Sequence, residues 1–288
     1  MARQPCVTIV FGQKGVGKTI KTINLIRDYV FVSPKRKALI FDVNNEFAKF
    51  RNKNFKDELQ NYDTIKSLRI ADIAAFSNQV TPEVRRIRPF WDDGKKMTID
   101  DMSVVLGVIL DNFKNGLLLV EDINKYTSVN MKKDLLGALA TSRHIGIDLI
   151  AHYQLISRAA NPTLVGMSNY FRVHRTSDNP YSTRIKENLE EKFELVAIAY
   201  EMVKNKYLQG KKNGQKIYYD LTTDNDSFKI KGVYTKTEAL KGIENFISQD
   251  PNTISRRMNM LDRTGKPLYK DYKQAFAEYE QELFETYF

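Results

Sequence analysis

The sequence is poor in the residues that form cross-links and metal clusters, with one cysteine and three histidines among 288 residues. A single cysteine, Cys6, excludes a disulfide framework and a zinc site built from cysteines. The longest apolar runs, residues 104–110 and Leu117–Val120, are far shorter than the roughly 20 residues that cross a bilayer. Residues 1–5 are not followed by the apolar core of a signal peptide. These absences predict a soluble protein of a reducing compartment, the cytoplasm, without an intrinsic membrane span.

Positive charge is in excess, because 45 lysines and arginines face 35 acidic residues and leave a formal net charge of +10. Such an excess favours a polyanionic partner such as nucleic acid, and the alternative is charge that serves solubility alone. Hydrophobic residues make up 42% of the chain, which excludes a disordered or fibrous protein. The length suits one large domain with an appendage or two modest domains.

Short apolar runs alternate with helical patterns over the first 175 residues. The predicted strands are Val7–Phe11, 38–42, Leu117–Val120, 147–151 and Tyr170–His174, and the clearest helices are 18–30, 102–113 and 131–144. Thr98 with Asp101 predicts the start of the second of these helices. Strands that alternate with helices indicate an α/β fold with a central, mainly parallel sheet flanked by helices.

The pattern changes after residue 180, where a charged helical segment is followed by two aromatic runs around Gly210 and Gly214. Those runs predict a β-hairpin at about 204–220. Residues 236–288 are predicted to be helical. We therefore expect a core of residues 1–235 with this inserted basic hairpin, and a helical C-terminal appendage over residues 236–288.

A phosphate-binding loop follows the first strand. The motif G-x-x-x-x-G-K-S/T is matched by Gly12, Gln13, Lys14, Gly15, Val16, Gly17, Lys18 and Thr19. Its glycines let backbone N–H groups turn toward phosphates, and the helix that follows presents its N-terminus to the anion. Lys18 is expected to reach the β and γ phosphates of ATP, and the Thr19 hydroxyl to join the shell of Mg²⁺.

Two carboxylates, Glu121 and Asp122, directly follow the strand Leu117–Val120. A buried strand carries such groups to the same sheet edge as the phosphate loop, where one can hold Mg²⁺ and the other can orient or deprotonate water. We assign Glu121 to the metal and Asp122 to the water, although the usual order of such pairs is Asp then Glu. The alternative is a solvated turn.

The fourth strand ends in a polar amide, Gln154, which could contact both the γ phosphate and the attacking water. Alone, a glutamine after a strand is usually a loop residue. The phosphate loop, the acidic strand end and the run S-R-H-x-G-I-D-L-I-x-x-x-Q at 142–154 together resemble the HerA/FtsK superfamily of DNA-translocating ATPases. The resemblance covers roughly residues 5–176.

The resemblance implies a RecA-like P-loop NTPase core in which the strand before Gln154 lies between the strands before the phosphate loop and before Glu121. It also implies a second strand that ends, within residues 41–47, in an acidic residue near the nucleotide. It further implies a ring homo-oligomer, a hexamer or pentamer, that threads double-stranded DNA. Ring ATPases often complete a site with a neighbour's arginine, and Arg143 is our first choice ahead of Arg158, Arg172 and Arg175.

A cluster of lysines follows the core, with no acidic residue between its members. These are Lys204, Lys206, Lys211, Lys212 and Lys216. On a hairpin tip they could follow DNA phosphates, and the alternative is a solvated surface. The length of the chain favours a phage or mobile-element motor, with a viral capsid or vertex protein as a further candidate partner.

Together these features predict an ATPase that moves double-stranded DNA, with viral genome packaging as its most specific form. It would act in the host cytoplasm or in association with the virion. Two alternatives remain at this stage. One is a filamentous-phage type of assembly or export ATPase, and the other is a slow nucleotide-gated binding switch.

Overall fold

The computed structural model describes residues 5–32, 36–49, 64–123, 145–250 and 252–288, and its centre is one twisted sheet. The strands in these residues are β1 (Val7–Phe11), β2 (Lys37–Phe41), β3 (Lys66–Ser67), β4 (Glu83–Ile87), β5 (Leu117–Val120), β6 (Asp148–Tyr153), β7 (Tyr170–His174), β8 (Asp220–Asp224) and β9 (Lys229–Lys231). They lie in the order β3-β4-β2-β5-β6-β1-β7-β8-β9. The predicted α/β fold with a mainly parallel sheet is confirmed.

Helices cover both faces of this sheet. Those in the described residues are α1 (Lys18–Val32), α2 (Ile73–Asn78), α3 (Ile99–Asn112), α4 (Ile156–Ala159), α5 (Pro162–Met167), α6 (Thr183–Leu189), α7 (Phe193–Lys212), α8 (Lys236–Ile247), α9 (Asn252–Met258) and α10 (Tyr272–Tyr287). The helix predicted at 131–144 lies outside the described residues.

The strand order puts β6 between β1 and β5, as the family resemblance implies. Both pairings are parallel, with Val10 opposite His152 and Val120 opposite Ala151. Every residue of β2, β5 and β6 is buried, as expected for central strands covered on both faces. The carboxyl ends of β1, β2, β5 and β6 therefore meet at one edge of the sheet.

The two faces of the sheet pack against different sets of helices. The smaller apolar cluster lies beneath α1 and includes Ile23, Ile26 and Ile40. The larger cluster lies on the opposite face and combines side chains of α3 and α7 with side chains of the C-terminal helices. Burial on both faces explains why the central strands are continuous apolar runs without polar alternation.

Helix α3 begins at the predicted place because its first turn is capped. The Thr98 side chain accepts a hydrogen bond from the Asp101 backbone N–H, and the Asp101 carboxylate accepts one from the Thr98 N–H. This reciprocal arrangement satisfies two backbone donors that the first turn of a helix leaves without intrahelical partners.

The β-hairpin predicted at about 204–220 is wrong in position. Residues up to Lys212 continue helix α7, whose buried apolar side chains lie between Leu195 and Val203. The helix ends at a turn in which Gly214 has a φ of 67°, the left-handed conformation that glycine adopts without strain. A hairpin does follow, but it is formed by the antiparallel strands β8 and β9.

Strand β4 had no counterpart in the sequence-based prediction because its pattern is arginine-rich. It pairs in parallel with β2, with Arg86 opposite Ile40. Arg86 is buried, and its Nη1 donates to Oδ2 of Asp42 at 2.7 Å and to Oδ1 of Asn45 at 2.6 Å. Arg86 can occupy this interior position because Asp42, directly after the neighbouring strand β2, is its buried acidic partner.

The C-terminal segment is helical, as predicted, and the predicted boundary at residue 235 falls between β9 and α8. Helix α8 packs closely on α7, because a Cβ added at Gly242 would approach Cγ of Met202 to 2.3 Å. The hydroxyls of Tyr279 and Tyr287 on α10 both donate to the Glu194 carboxylate on α7. These contacts attach the segment to the sheet through α7. That residues 236–288 form a separate appendage stays a prediction.

Among the described helices, we find none that combines the length and the apolar character needed to cross a membrane.

The Arg86–Asp42 pair supplies a test of the fold. Asp42 is fully buried, so Arg86→Ala would leave a buried carboxylate without its cationic partner. We expect the free energy of unfolding to fall by about 3–5 kcal/mol, measured by urea denaturation. Arg85→Ala is the matched control, because Arg85 pairs with Glu83 where both side chains are partly exposed, and its cost should stay below about 1 kcal/mol. Equal losses in the two variants would contradict a structural role for the buried pair.

Candidate functional site

A cavity of about 300 Å³ opens at the edge where the parallel strands end. Its walls come from the segments that follow β1, β2, β5 and β6, and from the connection between α7 and β8. The residues predicted for a nucleotide site that line it are Lys14, Gly15, Gly17, Lys18, Thr19, Glu121, Asp122 and Gln154. Asn44, Glu46, His152, Ile20, Lys216 and Tyr218 also line it. Five separate parts of the sequence thus converge on one space.

The phosphate loop adopts backbone conformations that require its glycines. Gly15 and Gly17 have φ values of 81° and 96°, in the left-handed region that other residues rarely adopt. A Cβ added at Gly12 would approach Cβ of His174 to 2.5 Å. The Gln13 N–H donates to the carbonyl of Arg175 at 2.8 Å, so the start of the loop is fastened to the end of β7.

The side chain of Lys18, near the end of the phosphate loop, reaches back to the start of that loop. Its Nζ donates to the backbone carbonyls of Gly12 and Gln13, the second at 3.0 Å. Burial lowers the pKa of Lys18, although the negative charges of Asp122 and Glu121 act in the opposite direction. The loop therefore holds its ammonium group on carbonyl oxygens, close to the carboxylates of the β5 end.

Glu121 is almost fully buried, with 3% of its surface exposed. Burial is the first cause that raises its pKa to about 8, and the charges of Asp42 and Glu46 raise it further. The backbone N–H of Asn44 donates to Oε2 of Glu121 at 3.3 Å. The carboxyl group is thus a neutral acid near neutral pH unless positive charge is brought close to it.

Asp122 has two amide partners. Nδ2 of Asn44 donates to Oδ2 of Asp122 at 2.8 Å, and Nε2 of Gln154 donates to the same oxygen at 3.0 Å. Asp122 has a φ of 43°, an uncommon conformation for a residue other than glycine, and such strain is concentrated at functional sites. Gln154 is therefore in direct contact with one of the two predicted carboxylates.

The segment after β2 supplies a carboxylate, Glu46, that the site assignment from sequence omitted. Asp42, at the strand end, is buried and accepts hydrogen bonds from the N–H groups of Glu46 and Phe47. Glu46 reaches the cavity, where its Oε2 accepts a hydrogen bond from the Thr19 hydroxyl at 3.4 Å. The resemblance pointed to an acid within residues 41–47, but three residues of loop separate the structural carboxylate, Asp42, from the one in the cavity, Glu46.

The oxygen donors of this cavity suit a hard cation such as Mg²⁺. Thr19, Glu46 and Glu121 present hydroxyl and carboxylate oxygens, the ligands that Mg²⁺ prefers. Within the described residues, however, no three acidic, histidine or cysteine side chains form a complete metal site. This fits an ion that takes one or two protein ligands and completes its shell with water and phosphate oxygens.

Two buried histidines lie beneath the phosphate loop. His152 on β6 shares a 2.9 Å hydrogen bond with the Thr22 hydroxyl of α1, and burial lowers its pKa well below the usual value. Burial likewise lowers the pKa of His174 to about 3. Both rings are therefore neutral near pH 7. His152 joins α1 to the sheet, a role that a lone histidine in a strand did not reveal in the sequence.

Of the candidate arginines, Arg143 lies outside the described residues. Arg172 is largely buried beside Asp220, at 3.8 Å. The guanidinium of Arg175 stacks over the ring of Tyr207 at 3.5 Å. Arg158 lies in the last turn of the short helix α4.

The lysine cluster is divided among three environments. Lys204 pairs with Glu201 at 3.2 Å, and Lys206 pairs with Glu238. Lys211 and Lys212 are exposed in the last turn of α7. Lys216 lines the cavity. The cluster is therefore not the tip of one hairpin, and in the described part of the chain Lys211 and Lys212 make no ion pair.

The fold is shared with solved viral proteins. The chain is similar to the genome packaging NTPase B204 of Sulfolobus turreted icosahedral virus 2, solved in complex with AMP, with 18% identity and a TM-score of 0.50 over 81% of this chain and 99% of that one. It is also similar to B204, the DNA-packaging ATPase of Sulfolobus turreted icosahedral virus, with 18% identity and a TM-score of 0.50 over 80% and 97%. At this identity the similarity establishes the fold.

Similar proteins are found by comparing structures and not by comparing sequences. No protein-family model matches the chain, and no curated protein sequence matches it.

The raised pKa of Glu121 predicts how pH changes the stability of the protein without nucleotide or metal. Between about pH 4.5, the ordinary pKa of the group, and about pH 8, its value in the folded protein, the folded state binds more protons than the unfolded state. The contribution of Glu121 to stability therefore falls as pH rises through this range. Glu121→Gln should remove this loss, so its stability relative to the unaltered protein should increase from pH 5 to pH 8.5 in urea denaturation. A stability difference that is the same at both pH values would contradict the shift.

Proposed function

We propose that this protein hydrolyses ATP in the cavity at the sheet edge and uses the energy to move double-stranded DNA, as a viral genome-packaging motor. One observation carries the proposal. A glycine-built phosphate loop with its lysine, an adjacent pair of buried carboxylates and a polar amide from the neighbouring strand line the same 300 Å³ space. This is the set of groups that phosphoryl transfer needs, because its catalysis consists of positioning and charge stabilisation.

Phosphate binding would be the task of the loop and of Lys18. In this proposal Lys18 exchanges its hydrogen bonds to the carbonyls of Gly12 and Gln13 for bonds to the β and γ phosphates. The N-terminus of α1 adds the partial positive charge of its unpaired N–H groups. A lysine whose pKa is lowered by burial gains most from an anionic partner, since the phosphate restores a favourable environment for its charge.

A magnesium ion, when bound, would neutralise charge on the phosphates. The Thr19 hydroxyl and the Glu121 carboxylate are the proposed ligands, and Glu46 is near enough to Thr19 to act directly or through water. Glu121 would have to release its proton to serve as a ligand, because its pKa in the protein alone is about 8. Metal binding at neutral pH should therefore be accompanied by proton release.

Water activation would fall to Asp122. The Asp122 carboxylate is held by the amides of Asn44 and Gln154, which would keep it in position to accept a proton from the attacking water. Gln154 would transmit the state of the γ phosphate to Asp122 through their 3.0 Å hydrogen bond. This assigns the metal to Glu121 and the water to Asp122, the order also expected from the sequence.

The comparison supports the packaging role. Both solved neighbours at a TM-score of 0.50 are described as a genome packaging NTPase or a DNA-packaging ATPase of a virus, and this chain spans nearly their whole length. We extend that role to this chain because the residues predicted for a nucleotide site line one cavity. The motor would act in the host cytoplasm or on the assembling virion, with a capsid or vertex protein as its docking partner.

DNA binding is proposed from charge. The net charge is +10, and the exposed pair Lys211 and Lys212 lies at the end of α7 without a partner among the described acidic side chains. DNA threading also implies a ring of subunits, a hexamer or pentamer, in which Arg143 would act on the neighbour's nucleotide.

The two alternatives predict different behaviour. A filamentous-phage type of export ATPase would need a membrane partner, and a nucleotide-gated switch would hydrolyse ATP slowly and without stimulation by DNA. The rate of ATP hydrolysis with and without duplex DNA therefore separates a motor from a switch. No described feature of the fold favours either alternative over the motor.

Lys18→Ala tests the nucleotide site. Loss of the main cationic partner of the phosphates should lower ATP turnover at least about 100-fold while the fold survives, measured by phosphate release and circular dichroism. Lys95→Ala, at an exposed lysine in a turn remote in sequence, is the control and should leave turnover unchanged. Turnover within about threefold of the unaltered protein in Lys18→Ala would exclude hydrolysis at this loop.

Charge reversal at the end of α7 tests DNA binding. Lys211→Glu with Lys212→Glu should weaken binding to duplex DNA and flatten its salt dependence, because each phosphate contact contributes a slope of about −0.9 in log affinity against log salt. Lys95→Glu with Lys96→Glu is the matched control, since it changes the net charge equally at another exposed lysine pair. Equal effects of the two double variants on affinity and slope would mean that net charge, and not this site, attracts the DNA.

A further inference from the structure

The connection between α7 and β8, residues 213–219, crosses the mouth of the nucleotide cavity. It is anchored at its start, where the Gln215 N–H donates to the Gly210 carbonyl at 2.8 Å and Ile217 packs so closely on Gly210 that an added Cβ would come within 2.3 Å of it. At its end, the Tyr219 hydroxyl donates to the carbonyl of Val233 at 2.9 Å. The residue between these anchors, Tyr218, is therefore held in a defined position.

Tyr218 lies against the phosphate loop. A Cβ placed on Gly17 would be 3.1 Å from Cδ1 and 3.5 Å from Cγ of its ring, so the ring contacts the backbone one residue before Lys18. The side chain is nevertheless 48% exposed, and it lines the cavity together with Lys216. The ammonium group of Lys216 lies 5.3 Å from the ring centroid.

The ring of Tyr218 offers apolar surface at the cavity, and an aromatic ring can bury a large area and stack on another ring. The other aromatic side chain in the cavity lining, His152, is buried and bonded to Thr22. Tyr218 is thus the half-exposed aromatic ring of the cavity lining, beside the groups expected to hold phosphates. A nucleotide brings a flat, π-rich base at a short distance from its phosphates, and such bases stack on aromatic side chains.

We propose that Tyr218 is the nucleobase contact of this site, stacking on the base of the bound nucleotide while the loop holds its phosphates. The inference rests on the proposed nucleotide-binding function and adds to it a source of affinity and a consequence for specificity. A stacking face reads no base edge, since every base has a π face. Tyr218 therefore contributes equally to the binding of ATP and GTP. Lys216, on the same connection, adds positive charge at the mouth of the cavity.

Isothermal titration with Mg²⁺ and three probes, ATP, GTP and inorganic tripolyphosphate, tests the proposal. Tyr218→Ala should weaken ATP and GTP by the same factor, about 5- to 150-fold, and leave tripolyphosphate within twofold. Tyr218→Phe keeps the ring and should bind all three probes like the unaltered protein. Tyr272→Ala removes another exposed tyrosine, on α10, and should change nothing.

The outcomes separate this inference from the function on which it rests. If Tyr218→Ala weakens tripolyphosphate as much as ATP, the ring supports the loop and the stacking proposal is overturned. Unchanged ATP affinity in Tyr218→Ala overturns it as well, and so does a loss confined to one of the two nucleotides. The Lys18→Ala variant reports on the function alone. If it binds ATP and tripolyphosphate as tightly as the unaltered protein, the nucleotide site itself is wrong, whatever Tyr218 does.

Discussion

The parallel pairing of β2, β5, β6 and β1 is the constraint on which every other feature of the site depends. Parallel strands end at the same edge, so residues that are more than a hundred positions apart, such as Lys18 and Gln154, line one cavity. The pairing holds because these strands are covered on both faces by helices. A shift of β5 by one residue relative to β2 and β6 would exchange its buried faces and move Glu121 away from the phosphate loop.

Electrostatic balance at this edge is achieved by different means for each carboxylate. Asp42 is paired with Arg86, Asp122 is held by two amides, and Glu121 has a pKa of about 8. Lys18 is the cation whose pKa responds to Asp122, Glu121 and Glu46. Three acids, Glu46, Glu121 and Asp122, and three lysines, Lys14, Lys18 and Lys216, line the cavity. A divalent cation that arrives with the substrate would favour the ionised form of Glu121.

Helix α7 and the connection after it relate the proposed nucleotide and DNA contacts. Lys211 and Lys212 end the helix, and Tyr218 follows six residues later at the phosphate loop. A movement of the connection when nucleotide binds would be transmitted to the end of the helix, because Gln215 and Ile217 both contact Gly210 within α7. The same helix carries the C-terminal helices through Glu194. The connection after α7 would in this way join the nucleotide site to the lysines proposed to bind DNA.

The sequence by itself determined the parts of the protein that local patterns encode. Apolar runs predicted the central strands, the glycine motif predicted the phosphate loop, and Thr98 with Asp101 predicted the start of α3. Tertiary structure decided the rest, because those features depend on partners distant in the chain. Strand β4 can lie inside the sheet because Asp42 pairs with Arg86, and residues 204–212 continue α7, where Lys206 pairs with Glu238 of α8 and Tyr207 lies against Arg175. The roles of Glu46 and Tyr218 likewise could not be predicted from the sequence. Glu46 contacts Thr19, which is 27 residues away, and Tyr218 contacts Gly17, which is about 200 residues away.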